Sequence, residues 1–291
     1  MARDISPAWK PEVIGHRGLS ARNPENTMQS FREALNAGAD GIETDIQLTL
    51  DGELVVLHDP KLDRTTNGTG AIIDHNWHEH IDGLRTKKAP HLPIPRLNDV
   101  LELLMESEIM EKRVWVLLDI KITNGPKVLD TLHAIIAKFP ETHDFSRQIV
   151  LGLWKPSFIE PAQRLFPKYR LSFIGVSLSA ARTVFWGPCD SFNLNFSVLV
   201  NGDGQNFIKE AQAAGKKVYV WTVNDPEQAR ECFKWRVDAI LGDDSGQLVA
   251  AIAQERVISP SARERVVWLT VSRRIYYFIQ GFMWQFISFG V

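Results

Sequence analysis

Seven residues stand out by type and spacing. His16 and Arg17 follow the apolar run "EVIG". Glu43 and Asp45 are two apart in "GIETDIQLT". His58 closes "LVVLH", with Asp59 next to it, and Asp119 and Lys121 are again two apart in "LLDIK". Along a strand, residues two apart share a face, so each spaced pair points the same way. Three carboxylates without a neighbouring cysteine make a hard oxygen donor set, suited to Mg²⁺ or Ca²⁺. Arg17 offers a bidentate fork and Lys121 a point charge, both fit for phosphate oxygens. His16 and His58 can divide the roles of general base and general acid. A metal, a cationic clamp and two histidines are the parts of a phosphodiester-cleaving site. Taken singly, each has a plainer reading: a structural histidine, a solvated acidic face, an ion pair between Asp119 and Lys121. Their convergence decides, because buried charges need partners or a metal.

Short apolar runs alternate with helical patterns along the chain. Strands are expected at 12–15, 41–49, 54–58, 114–121, 148–154, 170–177, 191–196, 217–224 and 238–242. Strand–helix alternation means a parallel sheet. The second and third runs are joined only by "LDGE" and count as one region with a tight turn. That leaves eight strands and favours a closed (β/α)₈ TIM barrel, whose active sites lie at the C-terminal ends of the strands. The polar residues fall at those ends. So do Trp221, which ends "VYVW" and is expected to line the substrate pocket, and Asp243–Asp244 after the last strand. Helices are expected in "NTMQSFREALNAGAD", "LNDVLELLMES", "GPKVLDTLHAIIAKF", "GQNFIKEAQAAG", "DPEQARECFKW" and "SGQLVAAIAQE". Asn26 is a candidate cap for the first. Segment 59–96 reads as an insertion holding a short helix near Trp77–Leu84.

A length of 291 residues suits one large domain. We divide the chain into an N-terminal extension (1–11), a barrel (12–255) and a basic linker with a hydrophobic tail (256–291). The net charge of −2 and a pI near 6.5 give a nucleic-acid partner no electrostatic support. Cys189 and Cys232 are far apart and lack metal-ligand spacing, so a reducing compartment is the default. The first ten residues contain no apolar signal-peptide core.

"IGHRGLSARNPENT", "GADGIETDIQLTLDGELVVLHD", "LDRTTNGTG" and "LLDIK" together resemble the glycerophosphodiester phosphodiesterase family, a (β/α)₈ barrel, over about residues 12–250. "LLDIKITN", "LGLWKPSF", "VSLS", "VYVWTVNDP" and the hydrophobic tail resemble the fungal phosphatidylglycerol phospholipase C branch. The resemblance implies Glu43, Asp45 and Asp119 as ligands of a divalent metal, Mg²⁺ or Ca²⁺. It implies His16 and His58 as the acid/base pair and Arg17 and Lys121 as phosphate-binding residues. Soluble members usually carry Glu at the position of Asp119, a departure that bears on metal preference. The expected reaction is cleavage of phosphatidylglycerol at a membrane surface to diacylglycerol and glycerol phosphate, through a cyclic glycerol phosphate. The alternatives are a phosphodiesterase acting on deacylated glycerophosphodiesters, a lysophospholipase D, or a membrane-tethered lipid-binding barrel without activity.

The tail selects the first of these. Residues 275–291 contain no charged side chain, and Arg263, Arg265, Arg273 and Arg274 precede them against a single acid, Glu264. Eight of the chain's 28 aromatics lie in 268–291, Trp268 and Trp284 among them. As a helix the uncharged stretch would rise about 25 Å, at the lower edge of a ~30 Å hydrocarbon core. An interfacial helix is expected, with Arg273 and Arg274 near anionic headgroups and the tryptophans at the boundary. The barrel would then face the cytosol at a mitochondrial, lipid-droplet or endoplasmic-reticulum membrane.

Overall fold

The structure is a computed structural model and describes residues 9–257. Nine strands form one sheet: β1 (Glu12–His16), β2 (Gly41–Leu48), β3 (Leu54–Val56), β4 (Trp115–Ile120), β5 (Ile149–Leu153), β6 (Arg170–Gly175), β7 (Ser191–Asn195), β8 (Lys217–Trp221) and β9 (Ala239–Gly242). Eight of them are parallel and close into a barrel, because β1 pairs with both β2 and β9. The ninth, β3, is antiparallel to β2, which bears out the reading of these two runs as one region with a tight turn.

Beyond Glu43, β1 no longer accompanies β2. From Ile46 onward β3 pairs with β2, whose other edge β4 follows as far as Ile46. The chain leaving β3 is thereby brought over the barrel mouth, and Leu57 N–H donates to the Asp45 carbonyl at 3.1 Å.

Inside the barrel, Ile14, Trp115, Leu117, Val150, Ile174, Tyr219, Ala239 and Leu241 form one apolar cluster. Outside, helices Leu97–Met105, Lys127–Ile136 and Gly202–Ala213 bury Leu101, Leu104, Leu132 and Phe207 in the main core. Each such side chain contributes about 1.5–3 kcal/mol on full burial.

The first helix (Met28–Asn36) corrects one expectation. Its cap is Thr27, whose hydroxyl accepts from Ser30 N–H, and not Asn26. Asn26 is buried with φ 57° and its side chain is committed to the site described below. The insertion also differs from expectation. The short helix expected near Trp77–Leu84 is only a 3₁₀ turn, Ile81–Gly83, and a second such turn stands at Ile72–Asp74. Glu79 adopts a positive φ of 69° and breaks any helical run there. The Asp51 carboxylate meanwhile takes the Trp77 and His78 N–H groups. Leu57, Leu62, Ile72, Trp77 and Ile81 give the insertion its own small core. The last described helix, Ser245–Val257, runs slightly past the expected domain end at 255.

Candidate active site

The β2–β4 register sets Asp45 beside Asp119, and the β1–β2 register sets His16 beside Glu43. Oxygens of Glu43, Asp45 and Asp119 lie within 4.8 Å of one another, and all three residues are buried. Lys121 Nζ sits 3.3 Å from Asp45 Oδ1 and 3.1 Å from Asp119 Oδ2. Asn26 Nδ2 donates to Asp45 Oδ2 at 2.7 Å while its Oδ1 accepts from Thr44 Oγ1. Trp154 Nε1 donates to Asp119 Oδ1 at 2.7 Å.

The electrostatics follow from this crowding. Burial, reinforced by Asp45 and Asp119, pushes the Glu43 carboxyl well above its usual range. Burial likewise carries Asp119 up to about 6, against the pull of Lys121. Asp45 is equally buried, yet Lys121, Arg17 and His58 outweigh the burial and hold it well below the usual range. Lys121, itself penalised by burial, is held strongly protonated by the three acids. Three converging hard donors, two of them raised chiefly by burial, fit a divalent cation, which would offset their shared negative charge.

Arg17 is left-handed, with φ 57°, and Gly18 follows at φ 80°. A Cβ on Gly18 would lie 2.4 Å from Ser30 Oγ, so only glycine fits this turn. The Arg17 strain is of order 1 kcal/mol. It is held by the Arg17 N–H bond to Glu43 Oε2 (3.0 Å) and by Ser30 Oγ donating to the Arg17 carbonyl. The guanidinium bonds Glu25 through one terminal nitrogen at 3.0 Å. Its Nε is buried without a hydrogen-bond partner, 3.5 Å from Asp45 Oδ2. An unpaired cationic donor beside the triad is suited to a phosphoryl oxygen.

Each histidine is held by an acid through Nδ1. His16 Nδ1 lies 2.6 Å from Asp243 Oδ1, and Asp243 also accepts from Ser20 Oγ and Asn224 Nδ2. His58 Nδ1 lies 2.7 Å from Asp59 Oδ1. In both, the carboxylate fixes the proton on Nδ1 and leaves Nε2 for the substrate. Arg64 clamps Asp59 and reaches Glu25, which binds Arg17, so one chain of ion pairs ties His58 to the phosphate clamp. Burial, with help from Lys121 and Arg17, lowers the His58 pKa despite the opposing pull of Asp45.

The two histidines, Arg17, Lys121 and the three acids line a cavity of about 260 Å³ together with Trp154, Ile174, Val176, Asn193, Trp221 and Leu241. A more open cavity of about 490 Å³ adjoins it and shares His16 and Arg17. All seven residues read from sequence as site candidates therefore meet at one cavity, with Trp221 on its wall. Asn26, Glu25, Arg64, Trp154 and Asn193 were not assigned to the site from sequence, and Asp59 and Asp243 were noted without a role. Trp154 did carry a signal: like Trp221, which ends β8, it stands at a strand's C-terminal end, just after β5. The tail residues Trp268, Arg273, Arg274 and Trp284 lie outside the described residues. Among the described residues, no helix is long and apolar enough to cross a membrane.

A parallel barrel with this mouth defines a class: a phosphoric diester hydrolase with a carboxylate site able to hold a divalent metal. Residues 16–247 match the glycerophosphoryl diester phosphodiesterase family, and the chain belongs to it. Bacillus subtilis YhdW is 49% identical over 241 residues, covering 79% of this chain and 93% of that protein. A glycerophosphodiester phosphodiesterase of Caldanaerobacter subterraneus is 29% identical over 250 residues, covering 82% and 97%. The barrel is similar to that of an Oleispira antarctica phosphodiesterase solved with the product sn-glycerol-3-phosphate. There the TM-score is 0.70 at 23% identity, covering 84% of this chain and 97% of that one.

Proposed function

We propose that this enzyme hydrolyses glycerophosphodiesters to glycerol 3-phosphate and an alcohol. The observation that carries the proposal is two acid-held histidines converging with Arg17, Lys121 and a carboxylate triad on one small cavity. His58, kept neutral by its lowered pKa, takes the proton of the glycerol hydroxyl next to the phosphoester. That oxygen attacks phosphorus, and the bond to the alcohol breaks. Arg17 and Lys121 bear the added negative charge. His16 gives the departing alcohol its proton. In the second half the roles reverse: water gives His16 a proton and opens the cyclic phosphate, and His58 returns its proton to the glycerol oxygen. A divalent ion, Mg²⁺ or Ca²⁺, held by Glu43, Asp45 and Asp119 would add Lewis-acid stabilisation of the phosphoryl charge.

A second reading keeps this chemistry and changes the substrate to phosphatidylglycerol, which carries the same glycerol unit and releases diacylglycerol. The uncharged, aromatic 275–291 stretch with its basic flank favours it, and it would place the enzyme on a cytosol-facing organelle membrane through that tail. Glycerophosphocholine and phosphatidylglycerol vesicles assayed side by side, with EDTA, Mg²⁺ or Ca²⁺, separate the two. Metal-dependent glycerol 3-phosphate from the first supports the main reading; diacylglycerol from the second alone supports the other. Turnover of neither overturns both.

A further inference from the structure

Asn193 lies at the middle of β7, level with Ile174 of β6 and Tyr219 of β8. It is only 2% exposed, and its Oδ1 is buried without a hydrogen-bond partner. Such atoms are rare in folded proteins, since an unpaired buried acceptor is costly, and each calls for a reason. The side chain lines the reaction cavity, so the reason lies there.

The wall around it sharpens the point. Apart from the acids, Arg17, Lys121 and the histidines, the cavity is faced by Trp154, Ile174, Val176, Trp221 and Leu241. Both indole donors on that wall are already engaged: Trp154 Nε1 with Asp119, and Trp221 Nε1 with the Asn193 carbonyl at 3.1 Å. The Asn193 carboxamide is thus the polar side-chain group this wall has left to offer. An alkyl group placed there would seal it unpaired; a hydroxyl would pair with it.

We infer that Asn193 recognises the terminal hydroxyl of the substrate's glycerol unit and so selects glycerol over analogues that lack it. The inference rests on the glycerophosphodiester reading. With the phosphate at Arg17 and Lys121 and the neighbouring hydroxyl at His58, the third carbon of glycerol is the part left to reach this wall. A site built to bond a hydroxyl rejects the analogue lacking it far more strongly than an apolar pocket could.

The test compares glycerophosphocholine with its 2-hydroxypropyl analogue, which keeps the attacking hydroxyl and lacks only the terminal one. Choline release reads both. Wild type is expected to lose at least about tenfold in kcat/KM on the analogue. Asn193→Leu should lose a similar factor on glycerophosphocholine and little on the analogue, while Asn193→Ser, which keeps a hydrogen-bond acceptor, should lose less. Equal kcat/KM of wild type on the two substrates overturns the inference without needing any variant to fold, and leaves the hydrolytic reading standing. An equal loss on both substrates in Asn193→Leu overturns it too, since that is a structural effect. A wild type that turns over neither substrate fails the underlying reading, and the inference falls with it.

Discussion

Replacing Lys121 by Met should destabilise the metal-free barrel in a pH-dependent way. Its ammonium lies 3.3 Å and 3.1 Å from two buried carboxylates. At an effective dielectric of about 20, each contact is worth about 5 kcal/mol before desolvation, and burying the ammonium takes back several. The loss is capped, because the variant can protonate another carboxyl instead. For a carboxyl of ordinary pKa near 4 that costs about 4 kcal/mol at pH 7 and about 1.4 at pH 5. In the variant these carboxyls have folded pKa values raised above the unfolded ones. Their share of stability is therefore intact at low pH and lost as pH rises through the raised value. The expected deficit is about 4 kcal/mol at pH 7, or roughly 8–16 °C in Tm, shrinking to about 1–2 kcal/mol at pH 5. Thermal melts in EDTA at both pH values measure it. With Mg²⁺ or Ca²⁺ added the melt should recover, because the ion replaces the lost positive charge, while kcat stays down by about 10²–10³ for want of Lys121 at the transition state. A variant that melts with wild type at pH 7 in EDTA, or shows the same deficit at both pH values, refutes the reasoning.

Asn26→Ala removes the amide that holds Asp45 and should weaken metal affinity about 10- to 100-fold; unchanged affinity by calorimetry would show that Asp45 needs no support. Asp59→Asn removes the carboxylate charge from the hydrogen bond that raises the His58 pKa, so the acid limb of kcat/KM should move to lower pH, and an upward move contradicts the assignment of His58 as base. Deleting residues 261–291 should leave a barrel that hydrolyses glycerophosphocholine at the wild-type rate and stays in the supernatant with anionic vesicles; a truncate that still pellets shows that the tail is not the anchor.

Much of the site was legible because its chemistry sits on strands. Period two aligned Glu43 with Asp45 and Asp119 with Lys121, and strand ends located His16 and His58. What sequence could not show is what depends on distant pairing. Asp243 reaches His16 across 227 positions because β9 closes onto β1. Arg64 reaches Glu25 and Asp59 together because the insertion folds over the mouth. Asn26 read as a cap because it stands at a helix start, where local preference is right for most asparagines; here tertiary demand from Asp45 claimed the side chain and Thr27 took over the cap. The short helix read near Trp77–Leu84 is cut to the 3₁₀ turn Ile81–Gly83, because the positive φ at Glu79 leaves no mark in residue periodicity.

If the barrel mouth cleaves glycerophosphodiesters with His16 and His58 as proton carriers, glycerol 3-phosphate release from glycerophosphocholine depends on both. Wild type, His16→Ala and His58→Ala are compared in Mg²⁺ or Ca²⁺, each with metal binding measured alongside. Wild type should be active, and either variant should lose about 10²–10⁴ with metal still bound. Near-wild-type turnover by either metal-loaded variant would contradict the proton-carrier roles.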